Sequence, residues 1–284
     1  MNWFYYLLPA IVLFASLQIF QRKIGVDTAN PRASAVVFNA IAGILAFILF
    51  IALGDYQRLN IPTTPTPWIL LGLGGLFYGL YERYRFSASK HLEASILVVI
   101  NNWSFVVGFI GVILLYREPI TIKHIFGAGL ILISIMLVSI PKTKKVSITK
   151  IGLFLGFLTS SLIGIAQIFD KAGAVNFSPA LYSVIVWLIP IPFIIFPKLK
   201  ISHIRQELRQ SGIVIFWMSL INVIGYYLAL KALEVGTAIQ VVPMIQTYSI
   251  ITVLFAAIFL KEREHLVLKF FAAILALIGI QLVL

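Results

Sequence analysis

A single carboxylate, Glu82, stands inside a long apolar run, with Arg83 and Arg85 beside it and Lys90-His91 about two turns further on. An ionisable group at membrane depth is costly and by default marks function: it would bind a cationic group or carry a coupling proton. The alternative is an ion pair with Arg85 or Arg83 near the interface, the side chains reaching outward to water. Tyr78 precedes Glu82 by four residues, so both lie on one helix face, and Asn222 and Tyr226 repeat that spacing. Such pairs suit a shared cavity, or equally hydrogen-bonded glue between helices worth ~1 kcal/mol per contact. Gln240, Thr247 and Tyr248 fall within one broad face around Pro243, which lacks a backbone donor and is expected to kink its helix. Asn101, Asn102 and Trp103 complete the candidate binding set. Adjacent asparagines point about 100° apart on a helix, so one would line a site while the other bridges helices. Trp187, ahead of Pro190 and Pro192, reads as lipid-facing, with an aromatic wall as the alternative. Gln18 and Gln167 sit near the ends of two spans, where capping and binding are both open.

Catalysis finds no constellation. The four histidines (His91, His124, His203, His265) are scattered in or near loops, and Asp27, Asp55 and Asp170 fall at expected span ends. No acid/base pair or metal-ligand cluster follows from that pattern. The absence of cysteine excludes disulfides, thiolate metal sites and a thiol nucleophile. No Walker segment is present, so direct ATP drive is not expected. The reading is therefore of no catalytic residue, no metal, no cofactor and no enzyme.

The elements that must position these residues follow from composition. Apolar residues make up 61% of the 284 and charged residues 11%, far from the roughly one-quarter charged of a soluble domain. The apolar stretches are continuous and about 20 residues long, the length that spans a ~30 Å hydrocarbon core as a helix. Barrel strands would instead show ~10-residue alternating segments. Ten spans are expected, at 3–20, 33–53, 68–87, 94–115, 122–140, 151–169, 179–197, 213–230, 237–260 and 266–284. The fourth and fifth, joined around Arg117-Glu118-Pro119, and the ninth and tenth, joined around Lys261-Glu262-Arg263, are expected to form tight hairpins. Gly75 and Gly79, Gly152 and Gly156, and Gly108 and Gly111 have the spacing of close helix packing. The N-terminus lacks a basic region and a small-residue cleavage site, so its first apolar run is expected to remain as a span. The net charge of +12 lies between apolar runs, which points to anionic lipid headgroups and not to nucleic acid.

The chain also repeats itself. Gln18-Ile19-Phe20-Gln21-Arg22-Lys23 matches Gln167-Ile168-Phe169-Asp170-Lys171; each is followed by a glycine (Gly25, Gly173) and a proline opening the next span (Pro31, Pro179). The stretch 85–118 aligns without gaps against 229–262, and Tyr78 and Glu82 fall opposite Asn222 and Tyr226. The halves are 1–145 and 146–284. Each holds an odd number of spans, so they must sit in opposite orientation. The expected fold is all-α, ten transmembrane helices as two inverted five-helix repeats, with a site between them near the midplane.

Tyr84-Arg85-Phe86-Ser87-Ala88-Ser89-Lys90-His91-Leu92-Glu93-Ala94-Ser95 resembles the segment leading from the third span into the fourth in EamA-type members of the drug/metabolite transporter superfamily. Arg117-Glu118 and Lys261-Glu262 resemble that family's Gly-Glu element after the fourth and ninth spans. The likeness runs over nearly the whole chain. Pro243 supplies the family's mid-span proline in the ninth span, whereas the fourth reads Val99-Ile100-Asn101-Asn102-Trp103 without one. The resemblance implies a multi-pass protein of the cell (inner or cytoplasmic) membrane, a monomer surrounded by lipid. It would act as a secondary transporter or exporter of a small metabolite, an amino acid or amphipathic organic compound, with alternating access about a central cavity. A lipid or lipid-linked sugar flippase is the alternative use of the architecture.

Orientation follows from charge. Of the 22 Lys and Arg, 17 flank connections after odd-numbered spans. Basic residues near short loops mark the cytoplasmic side, which puts both termini outside; the family resemblance implies both inside. The charge distribution, being this chain's own, is preferred.

Overall fold

The computed structural model describes residues 2–24, 30–59, 61–91, 94–138, 149–252 and 266–284. Among these residues every regular element is helical. The first half contributes α1 (Phe4–Ile24), α2 (Pro31–Ala52), a 3-10 turn at Asp55–Arg58, α3 (Pro65–His91), α4 (Ala94–Tyr116) and α5 (Ile122–Val138). The second contributes α6 (Lys150–Ile168), α7 (Asp170–Asn176), α8 (Pro179–Leu188), α9 (Pro190–Ile195), α10 (Ile201–Val235), α11 (Ala238–Ile245) and α12 (Leu266–Val283).

Helix starts are set by local chemistry repeated in both halves. Asn30 caps α2, its Oδ1 accepting from the backbone N–H of Arg32 and Ala33 at 3.2 Å each. Ser178 caps α8 by accepting from the N–H of Leu181 at 3.3 Å. Each cap precedes a proline at the first helical position, where a missing donor costs nothing. Three spans of the second half are interrupted. The sixth, Lys150–Asn176, breaks at Phe169 into α6 and α7; the seventh, Pro179–Ile195, breaks at Ile189, ahead of Pro190, into α8 and α9. The ninth, Ala238–Thr252, runs through Pro243 and breaks later, at Gln246 and Thr247, where the Thr247 N–H and Oγ1 both reach the Met244 carbonyl at 3.1 and 2.7 Å.

Counted by spans, the described residues make ten passages, α6–α7 and α8–α9 each forming one. Pro31–Ala52, Lys150–Asn176 and Ile201–Val235 are long and apolar enough to cross a membrane by themselves, and shorter apolar helices stand with them. Five passages carry the chain to the opposite face, so the second half runs inverted. One face holds the starts of α1 and α8 and the ends of α4, α10 and α12; the other holds the starts of α2 and α10 and the ends of α3 and α9. The centre is built where α10 packs on α1 and α2, and α2 on α8. Phe38, Tyr182, Leu230, Ile239 and Met244 are completely buried there.

Three expectations about elements change. The eighth helix begins at Ile201 instead of 213 and runs for 35 residues. Hydropathy falls at His203, Arg205, Glu207 and Arg209, but helical hydrogen bonding continues, and Glu207 is itself buried. The short turn after Tyr116, with Arg117 at φ 48°, does not produce a tight α4–α5 hairpin. Instead α5 lies along α12 and α4 along α6. Gly127 and Gly279 face each other across the α5–α12 contact, so close that a Cβ on either would come 2.7 Å from the other's carbonyl oxygen. The expected hairpin at 261–263 lies outside the described residues. The third correction is Asp170, which lies within the sixth span and not at its end.

Candidate functional site

Asp170 owes its position to the break in the sixth span. The Phe169 N–H bonds the Ala166 carbonyl at 3.1 Å in a tight turn, and helical bonding resumes with the Gly173 N–H on the Phe169 carbonyl at 3.0 Å. The Asp170 carboxyl is thereby presented to α3, α8 and α10 while only 5% of the residue stays exposed. Tyr78 of α3 donates its hydroxyl to Oδ2 at 2.7 Å. Tyr226 of α10 and Tyr182 of α8 donate to Oδ1 at 2.8 and 3.3 Å. Tyr182 fits because Gly173 has no side chain: a Cβ there would run into its ring.

Aromatic rings pack against the tyrosines that bond the carboxyl. Tyr78 and Tyr226 are perpendicular with centroids 6.5 Å apart, and Trp187 packs edge-on against Tyr226 at 5.6 Å and Phe38 at 5.7 Å. Trp187 is thus an inner wall and not lipid-facing; Pro190 opens α9 one turn later, leaving Trp187 on the buried face of α8. Its indole Nε1 is buried with no hydrogen-bond partner.

Glu82 lies on α3 about 6 Å along the axis from Tyr78. It is 4% exposed and its Oε2 is 3.1 Å from Arg85 Nε. The Arg85 guanidinium lies 5.0 Å over the Phe38 ring and 5.6 Å over Tyr81. The ion pair expected near the interface therefore exists, but inside the bundle. Asn39 Oδ1 and Ser183 Oγ are also buried without partners.

Contacts between the halves close the structure at both faces. On the face of the termini, Glu118 Oε1 and Oε2 accept from the N–H groups of Ala238 and Ile239 at 3.0 and 2.9 Å, capping α11, which has no side-chain cap of its own. Beside it, within the second half, Lys171 Nζ donates to the Leu233 and Gly236 carbonyls at 2.7 and 2.6 Å, finishing α10. Tyr116 spans the Phe169 break, donating to the Ile168 carbonyl at 2.5 Å and accepting from the Ala172 N–H at 3.0 Å. On the opposite face Arg32 Nη2 reaches the carbonyls of Ile194, Ile195, Phe196 and Pro197 at 2.7, 2.9, 3.1 and 2.8 Å. Arg83 joins it at the carbonyls of Phe193 and Phe196.

Of the residues singled out from sequence, Tyr78 and Tyr226 meet at Asp170, with Glu82 one turn away. Asn222 is half-buried one turn before Tyr226, and Asn102 is buried in α4. Asn101 and Trp103 are exposed on α4, where Trp103 Nε1 donates to Ser161 Oγ of α6 at 3.0 Å. Gln240 holds α11 to the Val283 carbonyl of α12 at 3.1 Å. Thr247 bonds back to its own helix, and Tyr248 packs edge-on against Phe14 at 6.1 Å. Gln167 accepts from Gln246 at 3.5 Å; the Gln18 side chain is outside the described set. Sequence reasoning missed Asp170 and Tyr182. One signal was available: after Asp170-Lys171 the chain stays apolar through Ala172–Val175, so the span need not have ended at the acid.

A helical bundle of two inverted repeats with buried polar groups at their junction has the architecture of secondary transporters. The chain belongs to the EamA-like transporter family, whose model matches residues 2–140 and again 150–284. It is thereby a member of the drug/metabolite transporter superfamily, a transporter and not an enzyme. A protein of known crystal structure shares the fold at 14% identity and a TM-score of 0.72, over 98% of this chain and 94% of that one. No curated protein matches the chain.

Proposed function

We propose that the chain is a secondary transporter, an exporter of a small metabolite such as an amino acid or amphipathic organic compound, and that its substrate is read at the Asp170 cluster. The observation that carries this is the origin of the hydroxyls on Asp170: Tyr78 comes from the first half, Tyr182 and Tyr226 from the second. A polar centre shared between inverted repeats is remade whenever one rocks against the other, which is the requirement of alternating access. Glu82, one turn along α3 from Tyr78, and Arg85, about a turn further on, extend the polar lining and keep Glu82 as the coupling candidate. We take the repeats as 1–145 and 146–284, the working unit as a monomer, and the location as the cell membrane.

Counterflow tests the reading. Purified protein in liposomes preloaded with unlabelled amino acids or amines should accumulate the matching labelled solute, and Asp170→Asn should not. Equal uptake by the variant would remove Asp170 from the site. A lipid flippase would require a cavity open sideways to the bilayer, whereas Asp170 and Tyr182 are enclosed by helices α3, α7, α8 and α10.

A further inference from the structure

The Asp170 carboxyl is buried, yet no Lys, Arg or His among the described residues pairs with it. Lys171, its neighbour in sequence, spends its ammonium on the Leu233 and Gly236 carbonyls, and Arg85 lies against Glu82 at 3.1 Å. All three hydroxyls that reach Asp170 are neutral donors. A carboxylate offers about four lone-pair positions, so three donors leave one open. Buried carboxylates are retained when a cation or proton neutralises them. The rings of Tyr78 and Tyr226, whose hydroxyls reach the carboxylate, pack edge-to-face, and Trp187 packs edge-on against Tyr226. Ring faces attract a cation, and best one that is weakly hydrated. Calcium or magnesium would instead need six or more oxygen ligands, and zinc favours His and Cys donors, which one carboxylate and three phenols do not supply.

Resting on the transport reading above, we propose that the Asp170 cluster is a site for an organic ammonium group carried on an apolar body. The ammonium takes the open lone-pair position of the carboxylate, the tyrosine hydroxyls hold the carboxylate in place, and the rings of Tyr78, Tyr226 and Trp187 cover the attached carbons. The cluster is closed as described, so the ligand enters when the halves rock apart.

The test uses the full chain, purified in detergent, and three probes of similar shape: phenethylamine, neutral 2-phenylethanol and anionic 3-phenylpropanoate. Phenethylamine should raise Tm and bind at least tenfold more tightly than the other two. Asp170→Asn should abolish that preference, Tyr226→Phe should weaken phenethylamine several-fold, and Lys231→Met, at an exposed ion pair, should change nothing. If Asp170→Asn does not elute as a folded species, Tyr226→Phe and Tyr182→Phe decide, since each removes a hydroxyl and keeps the ring. Equal binding of the neutral or anionic probe, or unchanged phenethylamine affinity in the tyrosine variants, overturns the proposal. Counterflow separates the two readings. Movement of neutral or anionic solutes but not amines leaves transport standing and removes the ammonium site. Amine binding without counterflow of any solute, amines included, keeps the site and removes the transport reading.

Discussion

Three tyrosine hydroxyls meet on the Asp170 carboxylate, and the geometry depends on a residue with no side chain. Gly173 gives the Tyr182 ring its room. Gly173→Ala should force the ring away, lengthening or breaking the 3.3 Å bond to Asp170. Overpacking of this kind costs about 1–3 kcal/mol, so the variant should show a lower Tm and reduced counterflow. An unchanged Tm with normal transport would mean that Tyr182 is not held there. Hydrogen bonds to a charged acceptor contribute about 1.5–3 kcal/mol each, and the shorter contacts of Tyr78 and Tyr226, 2.7 and 2.8 Å against 3.3 Å for Tyr182, give them more weight.

Among elements, α11 has a start that depends on the other half of the chain. Its first N–H groups have no local cap and are satisfied by Glu118 from beyond α4. Glu118→Ala should cost about 1 kcal/mol, the value of a lost cap near a helix dipole. Hydrogen exchange should read it directly, as faster exchange at the amides of Ala238 and Ile239; unchanged protection there would count against the cap. The α5–α12 pair depends instead on closeness. Gly127→Val would drive methyl groups into the Gly279 carbonyl and the Val283 side chain. Lipid offers no hydrophobic drive to hold two helices together, so packing must do so. The variant should lose thermal stability, and a wild-type Tm would show that the pair tolerates separation.

At the scale of the whole molecule, the two faces differ in charge. Arg32 and Arg83 bind the end of α9 on one face, while Lys171 finishes α10 on the other. Together with the 17 of 22 basic residues that flank connections after odd-numbered spans, this predicts a cytoplasmic face opposite the termini. A reporter fused after Leu284 that works only outside the cytoplasm should be active, and one that fluoresces only in the cytoplasm should be dark. The reverse pattern would overturn the orientation and leave the inverted repeat intact.

Sequence alone determined the ten passages, the repeat and its inversion. Lipid imposes these through composition: every span must be an apolar helix, and an odd number of them reverses the second half. It also picked Tyr78, Glu82 and Tyr226, because spacing by four is a property of a single helix. Asp170 escaped because the first acid after an apolar run looked like a span end, and Trp187 because hydropathy does not tell an inner wall from an outer one. Only tertiary structure decided that α5 pairs with α12, that Asn101 and Trp103 are exposed while Asn102 is buried, and that hydroxyls from three helices meet one carboxyl at the Phe169 break. Those outcomes depend on how each helix is rotated and where it breaks, which packing between distant segments sets. Apolar content along the chain carries no record of it.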